Sequence, residues 1–216
     1  MDILSARPAA LLCDVDGVVR LRDTGHAARL EEEHGIPKGR IAAAALDPEL
    51  LHRVVTGEIT AEGWCVEAAG RLAADLGVPG PAEQVMCAWM DPLGTVDETV
   101  VQLLAAAAES VPVVLVSNGT DRLERDLSLL GVTERLPLLV NSARIGYAKP
   151  SAEIYRAAAE RAGVSFERCL LIDDTQDYVD GARRLGMPAV LYHGHESLRR
   201  ALAAIPSSAG HQKVAP

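Results

Sequence analysis

The sequence predicts an α/β protein in which a parallel β-sheet lies between two layers of helices, a three-layer α/β/α core. Five short and nearly continuous apolar runs predict buried strands, at residues 9–14, 111–117, 136–140, 169–173 and 189–192. Continuous apolarity is typical of parallel strands that are covered on both faces. Helical patterns alternate with the last four runs, and this alternation indicates a doubly wound sheet.

Helices are predicted in the C-terminal half of the chain where apolar residues recur at helical spacing. The segments are residues 97–110, 120–131, 151–163 and 177–186. The last three end on a glycine, which commonly follows a helix directly. Each segment precedes one of the last four apolar runs, so a helix joins each predicted strand to the next.

The distance along the chain between the first two runs indicates an insertion. The first run ends at residue 14 and the second begins at residue 111, although one crossover needs far fewer residues. Helical patterns fill this gap at residues 26–35, 47–57, 60–77 and 81–90, with Thr60 as the N-cap of the third. We therefore predict an all-helical cap at residues 21–94, a core of residues 1–20 and 95–205, and a mobile tail at 206–216.

Composition disfavours several classes of partner and site. The 216-residue chain has a formal net charge of −9, and both nucleic acid and anionic membranes attract basic surfaces instead. No apolar run is long enough to span a membrane, and the N-terminal segment does not resemble a signal peptide. The four cysteines include no C-x-x-C pair, so we expect no zinc site or disulfide framework, and a cytoplasmic location. The oligomeric state stays open.

Two acidic turns follow predicted strands. Asp14 and Asp16 follow the first strand, and Asp173 and Asp174 follow the fourth. Ligands in open α/β sheets bind at the carboxyl ends of the strands, so we expect these acids to converge on one site. A carboxylate there can act as a nucleophile or bind Mg²⁺, and a second carboxylate can transfer protons. Each turn by itself is also compatible with an ordinary solvated acidic turn.

Four further residues are candidates for contact with a phosphate near these acids. Gly17 lets the backbone turn and bring N–H groups close to an anion. Ser117 and Asn118 lie between an apolar strand and a helix, where a hydroxyl and backbone N–H groups can bind phosphate. Lys149 precedes a proline at the start of another helix and can place a positive charge over an anion. Alone, such a serine turn is more often a helix cap, and such a lysine is more often a solvated surface residue.

Together, these motifs resemble the haloacid dehalogenase-like (HAD) hydrolase superfamily. The matching segments are DVDGVV, VVLVSNG, AKPSAEIY and LLIDDTQDYVDGARRLGMPAV. The resemblance covers nearly the whole chain, because the helical segment after the first strand is similar to that family's first type of cap. GEIT at 57–60 and MCAWM at 86–90 are also similar to a subgroup of small sugar-phosphate phosphatases that includes glucose-1-phosphate phosphatases. The resemblance implies a Rossmann-like core with a helical cap.

The resemblance also implies an activity, that of a Mg²⁺-dependent phosphatase acting on a small phosphorylated metabolite, with a sugar phosphate as one candidate. Asp14 would attack phosphorus and form an aspartyl phosphate. Asp16 would protonate the leaving oxygen and then activate water. Ser117 and the Asn118 N–H would hold phosphate oxygens, and Lys149 would offset charge on the nucleophile and the phosphoryl group.

The ligands of the Mg²⁺ ion are implied in the same way. They are the Asp14 carboxylate, the backbone carbonyl of Asp16 and the Asp174 carboxylate, with Asp173 supporting the ion indirectly or through water. One residue departs from the family pattern, since relatives often have asparagine where this chain has Tyr178.

Other functions stay open from the sequence alone. A phosphomutase of the same superfamily would use the same aspartyl phosphate, and a non-catalytic member would bind a phosphorylated ligand through the same residues. A dehalogenase is disfavoured, because its members lack an acid at the position of Asp16. A receiver domain is disfavoured, because its acidic pair comes first in the chain.

Trp64 and Trp89 are expected to pack in the core, or alternatively to stack on a sugar.

Overall fold

A computed structural model describes residues 7–77 and 82–205, so the predicted mobile tail at 206–216 lies outside the described residues. The strands are Ala10–Cys13 (β1), Arg20–Leu21 (β2), Thr95–Val96 (β3), Val113–Ser117 (β4), Leu138–Asn141 (β5), Cys169–Asp173 (β6) and Ala189–Leu191 (β7). Helices α1 to α5 are His26–Glu33, Arg40–Ala45, Pro48–Val55, Ala61–Leu76 and Ala82–Met90. Helices α6 to α11 are Glu98–Ala108, Leu123–Leu129, Ser142–Ile145, Ala152–Ala162, Gln176–Arg184 and His195–Leu202.

The five predicted apolar strands form one parallel sheet, which confirms the predicted fold class. Its strand order is β5-β4-β1-β6-β7, with β1 in the centre. All four neighbouring pairs are parallel. The first strand of the chain therefore has a neighbour on each side, and the residues that follow it lie in the middle of the sheet's carboxyl edge.

Helices cover both faces of the sheet, because successive residues of each strand point to opposite sides. Leu11 and Cys13 of β1 pack on one face with residues of α6, α7 and α11. Ala10 and Leu12 pack on the other face with residues of α9 and α10. This burial on both sides explains why the strands read as continuous apolar runs. Cys13 and Cys169 are buried core residues, as expected from their apolar surroundings.

Helices α1 to α5, here called the helical insertion, have a separate apolar cluster. Its buried residues include Ile41, Leu50, Leu72, Val85 and Met86, and it contains no residue of the five-stranded sheet. The N-caps follow ordinary chemistry: Thr60 accepts a hydrogen bond from the Gly63 N–H at the start of α4, as the sequence predicted.

Short elements were missed by the sequence analysis. The helices α2, α8 and α11 were not predicted, and α2 and α8 have only six and four residues. The ribbon of β2 and β3 has two residues in each strand, and its antiparallel pairs are Arg20 with Val96 and Leu21 with Thr95. Leu21 therefore contradicts the expectation that residues 21–94 hold no strand. No helix among the described residues has the length and apolarity needed to cross a membrane.

The helical insertion contacts the core at points beyond the ribbon. The Asp121 carboxylate, in the loop after β4, accepts a 2.7 Å hydrogen bond from the Ala61 N–H at the start of α4. A Cβ at Gly57 would lie 2.1 Å from the carbonyl oxygen of Ala143, so the backbones approach too closely there for a side chain. Both contacts hold the insertion against the carboxyl edge of the sheet.

Two helical glycines allow a matched test of the packing around α10. Nothing lies within 4 Å of a Cβ built on Gly70, whereas a Cβ on Gly181 would lie 2.4 Å from the Cβ of Pro150. We expect Gly70→Ala to raise the free energy of unfolding by about 0.5–1 kcal/mol, because alanine favours helix over glycine. Gly181→Ala should lower it by about 1–3 kcal/mol through overpacking. Urea unfolding measures both, and stabilisation by Gly181→Ala would contradict the close packing described.

Candidate active site

The register of the sheet places two acidic residues side by side. Cys13 of β1 pairs with Ile172 of β6, so Asp14 and Asp173 follow at the same level of the carboxyl edge. On the other side of β1, Cys13 pairs with Leu115 of β4, whose last residue is Ser117. The predicted convergence of the first and fourth strand ends is therefore present in the structure.

Lys149 lies between the two acids and neutralises part of their charge. Its Nζ donates 2.7 Å hydrogen bonds to Asp14 Oδ1 and to Asp173 Oδ2. All three side chains are buried: 1% of the lysine side chain is exposed, against 7% for Asp14 and none of Asp173. Removing one partner of such a buried ion pair leaves an uncompensated charge in a poorly solvated place.

Burial controls the ionisation of these groups. It raises the pKa of Asp14 to about 7, helped by the negative charge of Asp173 and opposed by Lys149. Burial also raises the pKa of Asp173, again against the effect of Lys149. Burial alone would lower the pKa of Lys149, but the two carboxylates outweigh it and raise that pKa above its ordinary value. The Lys149 ammonium group therefore stays charged and donates hydrogen bonds to both acids.

Asn118 and Tyr178 hold Lys149 in place. The Asn118 side chain accepts a 2.7 Å hydrogen bond from the Lys149 N–H and donates one of 3.1 Å to the Lys149 carbonyl. The same amide donates to the Tyr178 hydroxyl at 3.2 Å. The Tyr178 ring lies 5.0 Å from Lys149 Nζ, in the range of a cation–π contact. The tyrosine that departs from the family pattern thus supports the lysine.

Asp16 has a different electrostatic environment, although it is two residues from Asp14. Arg20 donates to both of its carboxylate oxygens, at 2.7 and 2.8 Å, and Arg22 donates to Oδ1 at 3.1 Å. Burial opposes ionisation, but these arginines outweigh it and hold the pKa of Asp16 below its ordinary value. Arg20 is itself 2% exposed, so this pair is fixed within the protein.

The acidic groups could hold a divalent cation. Asp14, Asp173 and Asp174 each offer a carboxylate oxygen, and these oxygens lie within 4.8 Å of one another. Hard oxygen donors and an excess of negative charge suit Mg²⁺. A Cβ at Gly17 would lie 1.9 Å from Asp174 Oδ2, and Gly17 has φ of 90°. This positive φ favours glycine at the turn, and a side chain there would also displace the Asp174 carboxylate.

The structure places the remaining sequence-predicted residues around this cluster with some differences. Ser117 is buried at the end of β4, beside the loop that begins with Asn118. The Asn118 side chain binds the main chain of Lys149, and the predicted contact of its N–H with a phosphate stays a prediction. The Gly17 N–H donates to the Arg20 carbonyl at 2.8 Å. That N–H closes the turn itself, and the contact of this turn with an anion stays a prediction.

Arg20, Arg22 and Tyr178 are the site residues whose roles the sequence analysis missed. Arg20 follows an apolar pair directly after the first acidic turn, and this spacing allows its side chain to fold back on Asp16. A positive residue four positions after an acid is a weak signal that such a pair exists. No sequence signal indicates the approach of Tyr178 to Lys149.

A cavity of about 530 Å³ opens beside this cluster, between the core and the helical insertion. Asp16, Arg20 and Asn118 line it from the core, and Trp64 and Trp89 line it from the insertion. Both tryptophans also pack against the apolar cluster of the insertion, which confirms the expected packing, while stacking on a sugar stays a prediction. The volume is in the range of small-molecule sites.

A family model supports the resemblance seen in the motifs. The model of the haloacid dehalogenase-like hydrolases matches residues 8–186. Among curated proteins, the chain is 26% identical over 209 residues to bifunctional epoxide hydrolase 2 of Sus scrofa, covering 89% of this chain and 38% of that protein. It is 42% identical over 65 residues to a phosphatase of Mycobacterium tuberculosis, covering 30% of each.

A third curated relative is a GMP/IMP nucleotidase of Escherichia coli, which is 30% identical over 92 residues, covering 42% of this chain and 41% of that protein. The chain therefore spans less than half the length of these curated relatives.

Solved structures show the same fold. A HAD family enzyme of Bacteroides thetaiotaomicron, crystallised with magnesium and inorganic phosphate, has a TM-score of 0.68 at 21% identity, covering 87% of this chain and 96% of its own. The L-2-haloacid dehalogenase of Xanthobacter autotrophicus has a TM-score of 0.61 at 20% identity, covering 91% and 83%.

Replacement of the central lysine tests the electrostatics of the cluster. We expect Lys149→Met to lower the free energy of unfolding at pH 7 by about 3–5 kcal/mol, because it leaves two buried carboxylates without a cation. The exposed Lys38 supplies the matched control, Lys38→Met, which should change it by less than about 0.5 kcal/mol. Equal effects of the two variants in urea unfolding would show that the buried ion pairs contribute little.

Addition of Mg²⁺ tests the metal site without any substrate. At 100 times its dissociation constant, a bound ion should stabilise the folded chain by about 2.7 kcal/mol. We expect Asp174→Asn to remove most of this gain and Asp177→Asn, at an exposed acid of α10, to retain it. The thermal midpoint with and without Mg²⁺ measures the difference. A full Mg²⁺ response in Asp174→Asn would exclude this carboxylate as a ligand.

Proposed function

Because the chain belongs to the haloacid dehalogenase-like hydrolase family, we propose that it is a Mg²⁺-dependent phosphatase that hydrolyses a small phosphorylated metabolite through an aspartyl-phosphate intermediate. The observation that carries the proposal is the buried Asp14, which contacts a fixed lysine and belongs to the candidate cation site, with Asp16 two residues away beside the cavity. The phosphatase and the nucleotidase among the relatives support the same reaction class.

Asp14 is the proposed nucleophile. Its Oδ1 accepts hydrogen bonds from Lys149 Nζ and from the Val15 N–H, both at 2.7 Å. Within residues 7–77 and 82–205, Oδ2 has no hydrogen-bond donor, so this oxygen is available. Attack of the carboxylate on phosphorus forms a P–O bond to Asp14 and breaks the bond to the leaving oxygen. Lys149 remains beside Asp14 and balances charge as the phosphoryl group is transferred.

Asp16 is the proposed proton carrier. In the first step it gives a proton to the leaving oxygen. In the second step it takes a proton from the water that attacks the aspartyl phosphate and releases inorganic phosphate. Arg20 and Arg22 favour the ionised carboxylate, which is the form that the second step needs. The two arginines also fix the orientation of the Asp16 carboxylate relative to the cavity.

The proposed Mg²⁺ ligands are the Asp14 and Asp174 carboxylates and the Asp16 carbonyl, with Asp173 in support. When bound there, the ion supplies positive charge that stabilises the phosphoryl oxygens. Ser117 and the main chain of Asn118 are proposed to bind those oxygens from the other side.

The helical insertion is proposed to act as the cap, within the predicted division into a core of residues 1–20 and 95–205 and a cap of residues 21–94. Closed over the cavity, it would exclude bulk water during phosphoryl transfer. A cytoplasmic location and the absence of nucleic-acid and membrane partners stay predictions from the sequence.

Phosphate release from a panel of phosphate monoesters tests the reaction. We expect release with Mg²⁺, none with EDTA, and no detectable turnover in Asp14→Asn. Asp16→Asn should lower kcat by about 10²–10⁴, the usual contribution of a general acid–base group. Asp177→Asn should keep the activity of the unchanged chain.

Two results would contradict the proposed phosphatase reaction. Turnover retained in Asp14→Asn would contradict the aspartyl-phosphate mechanism. Transfer of phosphate between sugars, when a bisphosphorylated sugar is present, would identify a phosphomutase instead.

A further inference from the structure

We propose that the preferred substrate is an alkyl or aryl phosphate monoester, whose leaving group is apolar and carries few hydroxyls, in place of a sugar phosphate. The inference rests on the proposed phosphatase function and concerns the part of the substrate beyond the phosphate. The observation behind it is the chemistry of the cavity between the core and the helical insertion.

The insertion supplies an apolar wall to this cavity. Five leucine, tryptophan and methionine side chains of the lining come from α3, α4, α5 and the segments beside them. They are Leu46, Leu51, Trp64, Trp89 and Met90. The core supplies the reacting end of the same cavity through Asp16 and Asn118. A substrate whose phosphate reaches the Asp14 cluster therefore extends its leaving group onto the apolar wall.

Two ring nitrogens on the insertion side already have hydrogen-bond partners. The Trp64 Nε1–H donates to the Ala45 carbonyl at 2.9 Å, so this residue offers the cavity its ring and not its N–H. The His26 Nε2 bonds the Ala88 carbonyl at 2.9 Å. A sugar has several hydroxyls, and each buried without a partner costs about 1–3 kcal/mol. An apolar group has no such cost and gains from burial.

Charged side chains of the lining face one another. Arg20 and Arg22 bind Asp16, and Arg29 from outside the lining pairs with Asp23. These ion pairs engage most of the charged groups of the lining with one another, and two arginines share the single Asp16 carboxylate.

One polar region remains, around Asp126. Its Oδ1 and the facing Arg122 Nε are buried without hydrogen-bond partners among the described residues, at 3.8 Å from each other. Arg20 Nη1 is also unpartnered and lies 4.0 Å from Asp126 Oδ2. These two donors and one acceptor suit a neutral polar substituent on an otherwise apolar leaving group.

A chain-length series measures the apolar contribution directly. We expect kcat/KM to rise about threefold per methylene from methyl to hexyl phosphate, because each buried methylene adds favourable transfer free energy. Hexyl and phenyl phosphate should exceed glucose 1-phosphate and glucose 6-phosphate at least tenfold. A flat series, or a preference for either sugar phosphate, would overturn the proposal.

A cavity variant with a matched control locates the effect. Leu51→Asn changes the apolar wall, and Leu129→Asn changes an exposed leucine outside the cavity. Leu51→Asn should lower kcat/KM for hexyl phosphate at least tenfold and leave that for methyl phosphate within twofold. Leu129→Asn should leave both within twofold. An equal loss for both esters in Leu51→Asn would indicate a structural defect and contradict the proposed contact.

Binding can be measured without turnover, since the only two tryptophans of the chain both line the cavity. In Asp14→Asn with Mg²⁺, hexyl phosphate should shift tryptophan emission at concentrations at least tenfold lower than glucose 6-phosphate does. If the unchanged chain hydrolyses no ester, the proposed phosphatase function is contradicted. This titration still shows whether the cavity binds an apolar phosphate ester more tightly than a sugar phosphate. Tighter binding of the sugar phosphate, or a shift with neither ligand, would reject the apolar class.

Discussion

The contact of one lysine with two buried carboxylates is the interaction on which the site depends. Parallel pairing of β1 with β6 forces Asp14 and Asp173 to the same level, where their charges would repel each other. Lys149 relieves this repulsion from a third direction, and its place is fixed by Asn118 after β4 and by Tyr178 on α10. Three separate segments of the chain must therefore dock correctly before the carboxylates can be buried together.

Sequence reasoning predicted the parts of the fold that follow from burial. A strand covered on both faces must be apolar throughout, so the five strands could be predicted from their apolar runs. The proximity of Asp14, Asp173 and Asp174 could then be predicted, because the carboxyl ends of parallel strands share one edge of the sheet. The order of the strands within the sheet and the short elements were not predicted, because they depend on packing between distant segments. Residues with no periodic pattern, such as those of α8, gain their structure from neighbours.

Side-chain pairings were the least predictable part of the site. The turn after β1 uses the Gly17 N–H for its own closure, and it returns Arg20 to Asp16. Neither contact follows from residue type. The result is that two carboxylates two residues apart have pKa values shifted in opposite directions, one by burial and one by paired arginines.

The ribbon of β2 and β3 brings together the two points where the chain leaves and rejoins the core. Because its two ends are paired in the ribbon, the helical insertion can change in sequence or length without moving the strands of the main sheet. Such a change would reshape the insertion side of the cavity while Asp14, Asp173 and Lys149 keep their positions.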